Sequence, residues 1–129
     1  NRYRAEVNYR QDINPTTYLT ARAYYTKVNN QEGVFKPASS TESGTGADVT
    51  VQKKFPGKNL NINATGSYSR RKYVFETDTY SLGAFLSWRL AKLELIFGAN
   101  VNRSETALDT GKEENMYQRY YLTVKRTLF

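Results

Sequence analysis

Polar and apolar residues alternate with period two along most of this chain, and no stretch carries a persuasive helical repeat. Seven alternating segments can be read. The first, about residues 1–11, sets Tyr3, Ala5, Val7 and Tyr9 on one face and Arg4, Glu6, Asn8 and Arg10 on the other. The second, about 17–28, opposes Leu19, Ala21, Ala23 and Tyr25 to Thr20, Arg22, Tyr24 and Thr26. The third, about 47–55, sets Ala47, Val49 and Val51 against Asp48, Thr50 and Gln52. The fourth, about 60–74, has Leu60, Ile62, Ala64, Gly66 and Tyr68 on its apolar side. The fifth, about 80–90, carries Tyr80, Leu82, Ala84, Leu86 and Trp88, and the sixth, about 92–104, carries Leu93, Leu95, Phe97, Ala99 and Val101. The seventh, about 116–129, ends on Phe129. The pattern predicts an all-β, antiparallel up-and-down meander in a single domain spanning 1–129.

The connections are predicted to alternate in length. Asn14-Pro15, Pro56-Gly57-Lys58-Asn59 and the region of Ala91 read as tight turns. Residues 29–46 and 105–115 read as long polar loops, and 76–79 as a charged loop. Such a length asymmetry suits an outer-membrane barrel, with short turns on the periplasmic side and longer loops outside. A soluble up-and-down barrel or sandwich also alternates, but needs no such asymmetry.

Composition then narrows the chemistry. Mean hydropathy is −0.71, and 19 Lys and Arg face 12 Asp and Glu. That polarity does not exclude a membrane barrel, because only alternate residues meet lipid. No run approaches the length of a membrane helix. The first residues lack an apolar leader and already alternate, so the expectation is a barrel whose upstream strands are missing. Cys and His are both absent, which excludes disulfides, thiolate chemistry and the usual triads and metal sites. No cofactor or metal is expected, and catalysis is not. The basic residues are spread over every strand, not gathered in one patch, so nucleic acid is not expected as a partner.

Tyrosine supplies 11 of the aromatic residues, and its apolar ring with a polar tip suits a water–lipid boundary. Tyr3, Tyr68, Tyr80 and Tyr120 fall toward the predicted outer rim, and Tyr9, Phe55 and Trp88 toward the periplasmic one. They form a candidate pair of aromatic girdles.

With its alternating strands, its turns Pro56–Asn59 and Arg89–Lys92, and its closing Leu128-Phe129, the chain resembles the C-terminal portion of a bacterial outer-membrane β-barrel. The resemblance implies outer-membrane localisation. It implies that Phe129, supported by Leu128, Val124 and Leu122, is a signal read by the barrel-assembly machinery. Leu122, Val124 and Leu128 lie one residue out of phase with Phe129, and Arg126 interrupts their face. Seven strands is also an odd number, where bacterial single-chain barrels are even. The style of the strands resembles large barrels associated with exopolysaccharide or electron-transfer systems.

If the apolar faces meet lipid, the opposite faces line a lumen. Arg4, Arg10, Arg22, Arg89, Arg119 and Lys125 are the principal basic residues there, with Lys54 and Lys92, against Glu6, Asp48 and Glu94. That surplus predicts a porin-like, anion-preferring channel. The alternatives are a scaffold barrel that anchors or sheaths a periplasmic or lumen partner protein, and a soluble antiparallel β binding domain. Arg70, Arg71 and Lys72 form the sharpest charge cluster and are candidate contacts for lipopolysaccharide phosphates.

Overall fold

The computed structural model describes residues 1–30, 40–73 and 75–127. Alternation of apolar and polar positions yields strands, and the strands are long. They are β1 (Arg2–Asn14), β2 (Thr17–Asn30), β3 (Ser40–Phe55), β4 (Leu60–Lys72), β5 (Glu76–Leu90), β6 (Leu93–Leu108) and β7 (Gly111–Arg126). Each pairs antiparallel with the next, in the order β1-β2-β3-β4-β5-β6-β7. The one helical element among the described residues is a 3-10 turn at Pro56–Lys58. The sheet is open: β1 and β7 do not pair with each other.

One end of the sheet is closed by tight turns, and this is called the turn end below. Asn14 Oδ1 accepts hydrogen bonds from the Thr16 backbone N–H at 3.0 Å and from its hydroxyl at 2.9 Å. That side-chain turn reverses the chain at Pro15-Thr16. Asn59 closes the Pro56 turn at φ 49°, a left-handed conformation that Asn tolerates. Ala91 holds the same φ of 49° between β5 and β6, where a side chain with a Cβ is strained.

The opposite end departs from the sequence reading in three places. Residues 40–46 belong to β3, not to a loop. Glu76–Thr79 opens β5, and the connection before it involves only residues 73–75. Residues 105–115 are almost entirely strand, with β6 and β7 joined through Asp109-Thr110. The expected alternation of short and long connections is therefore absent among the described residues. The β2–β3 connection lies in 31–39, outside them. The physical reason is mutual satisfaction. Polar side chains that look like loop residues sit opposite complementary partners: Arg70 opposite Asp78, Thr77 opposite Thr106, Arg71 joined to Glu42. A strand can thus stay polar on both faces and still gain cross-strand contacts.

Among the described residues no second layer packs against this sheet. Among the described residues no apolar side chain is buried, and Gly46 alone is classed as buried. Val7 is 70%, Leu82 63% and Tyr120 72% exposed. A sheet ordinarily buries one face against a second element. This one presents both.

Candidate functional site

The strand register sorts the side chains into two surfaces. Paired residues point to the same side, so each register row can be followed across the sheet. One row runs Tyr9, Ala21, Val49, Gly66, Leu82, Val101 on successive strands β1 to β6. The next toward the turn end continues Leu19, Val51, Ala64, Ala84, Ala99, Tyr120 from β2 to β7. The other face reads Asn8, Arg22, Asp48, Ser67, Ser81, Asn102, Tyr117. The separation into an apolar and a polar surface holds across all seven strands.

The apolar residues do not fill horizontal rows. They form an oblique band. On β1 the apolar run is Tyr3–Tyr9, centred on the level of Glu6. Following the register, Glu6 is level with Ser104 on β6. The apolar run of β6 is Leu93–Val101, centred on Phe97, seven residues from Ser104. Over five strand spacings that is about 23 Å along the strand against about 24 Å across, an inclination of about 44°. Tyr3, Tyr25, Tyr68, Tyr80 and Tyr120 lie along the upper border of this band, and Tyr9, Phe55 and Trp88 along the lower. Tyr68 and Tyr80 are direct neighbours, with ring centroids 5.1 Å apart. Tyr25, expected on the apolar face of the second segment but not among the girdle residues, joins the border once the register is followed. At the lower border the Trp88 indole N–H donates to the Lys58 carbonyl at 3.1 Å and ties the Pro56 turn to β5.

The polar face is hydrogen-bonded along its length. Thr50 and Thr65 hydroxyls meet at 3.0 Å, and Ser81 donates to Asn102 at 2.6 Å. The Tyr24 ring lies over Gly46 and the Tyr121 ring over Gly98, each cross-strand glycine making room for the aromatic opposite. Three arginines stack on tyrosines: Arg10 on Tyr18 at 4.7 Å, Arg22 on Tyr24 and Arg119 on Tyr121 both at 5.7 Å.

Charge is distributed unevenly. Arg4, Arg10, Arg22, Arg89, Arg119 and Lys125 all lie on the polar face, as the alternation predicts. Three of them are neutralised there. Arg22 pairs with Asp48 at 2.6 Å, Arg4 with Glu6 at 2.6 Å, and Arg10 with Asp12 at 3.3 Å. Beyond the upper border lies a second set of ion pairs. Arg70 reaches Asp78 at 2.7 Å and Glu76 at 3.1 Å; Lys72 reaches Glu76 at 3.7 Å; Arg71 pairs with Glu42. Arg103 bridges Glu105 at 2.7 Å and Glu114 at 2.8 Å. The Arg70–Lys72 cluster is thus matched by acids contributed by β3 and β5. At the turn end, Lys54, Arg89, Lys92, Lys125 and Arg126 have no carboxylate of the described residues within 4.0 Å.

Leu122 and Val124 lie on the apolar face, 58% and 57% exposed, together with Arg126. Leu128 and Phe129, the other two members of the expected assembly signal, fall outside the described residues. Among the described residues no three of His, Cys, Asp and Glu gather as a metal site. Among the described residues no helix is long and apolar enough to cross a membrane.

Comparison with protein families, with characterised proteins and with solved structures gives no match to this chain.

Proposed function

We propose that these seven strands are part of a bacterial outer-membrane β-barrel that lines a porin-like, anion-preferring channel. The observation that supports this best is the oblique apolar band. Strands in outer-membrane barrels tilt by about 35–45° from the membrane normal. In such a barrel, lipid contact follows the membrane plane and not the register rows. The apolar residues must then shift along successive strands, and the shift of about 44° falls in that range. A soluble sandwich would bury its apolar rows against a second sheet and needs no such drift.

The apolar side runs longest on β5, from Tyr80 past the bordering Trp88 to Leu90, ten residue steps. At this inclination each step rises about 2.4 Å, giving about 24 Å there and about 19 Å over the eight steps of β4 and β6, against a roughly 25 Å apolar belt in such barrels. The bordering tyrosines suit the two lipid–water interfaces.

On this reading the polar face lines an aqueous lumen. It carries Arg2, Arg4, Arg10, Arg22, Lys54, Arg71, Arg89, Arg119 and Lys125 against Glu6, Asp12, Glu42, Asp48, Glu94 and Glu113. The positive surplus favours anions. Reconstitution of the purified full-length protein in planar bilayers tests this. Discrete conductance steps with an anion-selective reversal potential in a salt gradient are expected; cation selectivity refutes the functional reading.

A further inference from the structure

We propose that charge selection is made at the turn end of the polar face, by Lys54, Arg89 and Lys125, and not by the ion-paired arginines Arg4, Arg10 and Arg22. The inference rests on the channel reading above. Arg4 and Arg22 each hold a carboxylate at 2.6 Å. A pair so close presents a dipole to passing ions, whose field dies away faster than that of a single charge. The paired arginines contribute little net attraction. Arg119, level with Arg10, has no carboxylate of the described residues within 4.0 Å and stacks on Tyr121 away from the turn end.

The turn end differs. Arg89 on β5 is opposite Glu94 on β6, and Glu94 is opposite Lys125 on β7. Two cations therefore flank one acid in a single register row, about 10 Å apart across two strand spacings. Glu94 does not close an ion pair with either among the described residues. Its carboxylate instead accepts the Ser87 hydroxyl at 3.0 Å. Lys54 joins from β3 through the row Lys54, Asn61, Ser87. Arg89 and Glu94 line two adjoining crevices at this end: Lys54 shares one with them, Lys92 and Lys125 the other. The backbone beneath is fixed: Arg89 N–H donates to the Asn59 carbonyl and Thr127 N–H to the Lys92 carbonyl, both at 2.9 Å.

Arg89 and Lys125, about 10 Å apart, stand just beyond the screening length of about 8 Å at physiological ionic strength and well inside the roughly 30 Å of 0.01 M salt, so their fields add most strongly at low salt. They create a local positive mouth that raises the concentration of small carboxylate and phosphate anions at that entrance. The opposite end, where the acids of β3 and β5 match the cations, has no comparable excess.

The test is reversal potential in planar bilayers with potassium chloride gradients, on full-length wild type and three variants whose folding is confirmed by heat-modifiable migration. K54Q/R89Q/K125Q is expected to lower the anion-to-cation permeability ratio by about threefold or more. The pair deletion R22Q/D48N is expected to leave it unchanged, and E94Q to raise it. A ratio unmoved by the triple substitution overturns this inference alone. A pair deletion that shifts the ratio as far as the triple substitution overturns it equally. Absence of any wild-type conductance overturns the channel reading and the inference together.

Discussion

If the sheet belongs to a membrane barrel as proposed, an arginine placed at successive depths on β5 measures whether the apolar face meets lipid and where the midplane lies. The β5 band is centred near Phe85, between Tyr80 and Leu90. At about 2.4 Å of depth per residue, Leu86 sits about 2 Å from the midplane, Leu82 about 7 Å and Tyr80 about 12 Å. An arginine at the midplane of a barrel costs about 2–4 kcal/mol and near the interface about 0–1. Leu86→Arg is therefore expected to cost about 2–4 kcal/mol, Leu82→Arg an intermediate amount, and Tyr80→Arg about 0–1. Packing loss is measured separately. Leu82 is 63% exposed and loses on the order of 1 kcal/mol of contact with its neighbours, and Leu86 is half-buried and loses more, so the costs of Leu82→Ala and Leu86→Ala are subtracted from those of the arginine variants. Ser67→Arg supplies the control. Ser67 lies three residues from the centre of the β4 band, as Leu82 does on β5, but on the polar face between Asp48 and Ser81. Its arginine should cost about 0.5 kcal/mol or less. The assay is reversible denaturant titration of the full-length protein folded into phospholipid vesicles, followed by tryptophan fluorescence. A flat series along β5, or a Ser67→Arg cost equal to that of Leu82→Arg, refutes the assignment of the apolar face to lipid.

Three further outcomes follow from the same geometry. Gly46→Val pushes a side chain into the Tyr24 ring and should destabilise by about 1–3 kcal/mol, with most of the loss recovered in G46V/Y24A; the same titration reads it, and no rescue disproves the ring contact. Arg70 and Lys72 share the apolar side while Arg71 turns to the polar face, so E76Q, which frees Lys72, should increase lipopolysaccharide retained through detergent purification and R70Q/K72Q should decrease it; if neither moves, the cluster does not bind lipopolysaccharide. Unboiled protein should migrate differently from boiled protein on a detergent gel, as a closed barrel does; identical migration favours the soluble β domain.

The strands themselves were legible from alternation, because a sheet with one apolar and one polar face must repeat every two residues. The tight turns at Pro15, Pro56 and Ala91 were legible from local chemistry. The strand ends away from those turns were not. Residues 40–46, 76–79 and 105–115 are polar, and polarity alone reads as loop. Their partners lie far off in sequence: Arg71 finds Glu42 across 29 residues, and Thr77 finds Thr106 across the same separation. The neutralisation of Arg22 by Asp48, 26 residues away, was hidden for the same reason. The basic residues on the polar face could thus be identified from sequence, but not which of them keep their charge uncompensated. The slant of the apolar band was equally invisible, since it exists only once the register relates Tyr3 to Tyr120.

The two free edges of the sheet carry a constraint of direction. In an unbroken antiparallel meander of seven strands, the first and the last point the same way. Bringing β1 against β7 would make a parallel seam, with the slanted hydrogen bonds of parallel strands in an otherwise antiparallel wall. Copies inserted with a common orientation inherit the difficulty, because every β1 and every β7 among them would point the same way. A wall that stays antiparallel all the way round must take an odd number of additional strands between these edges.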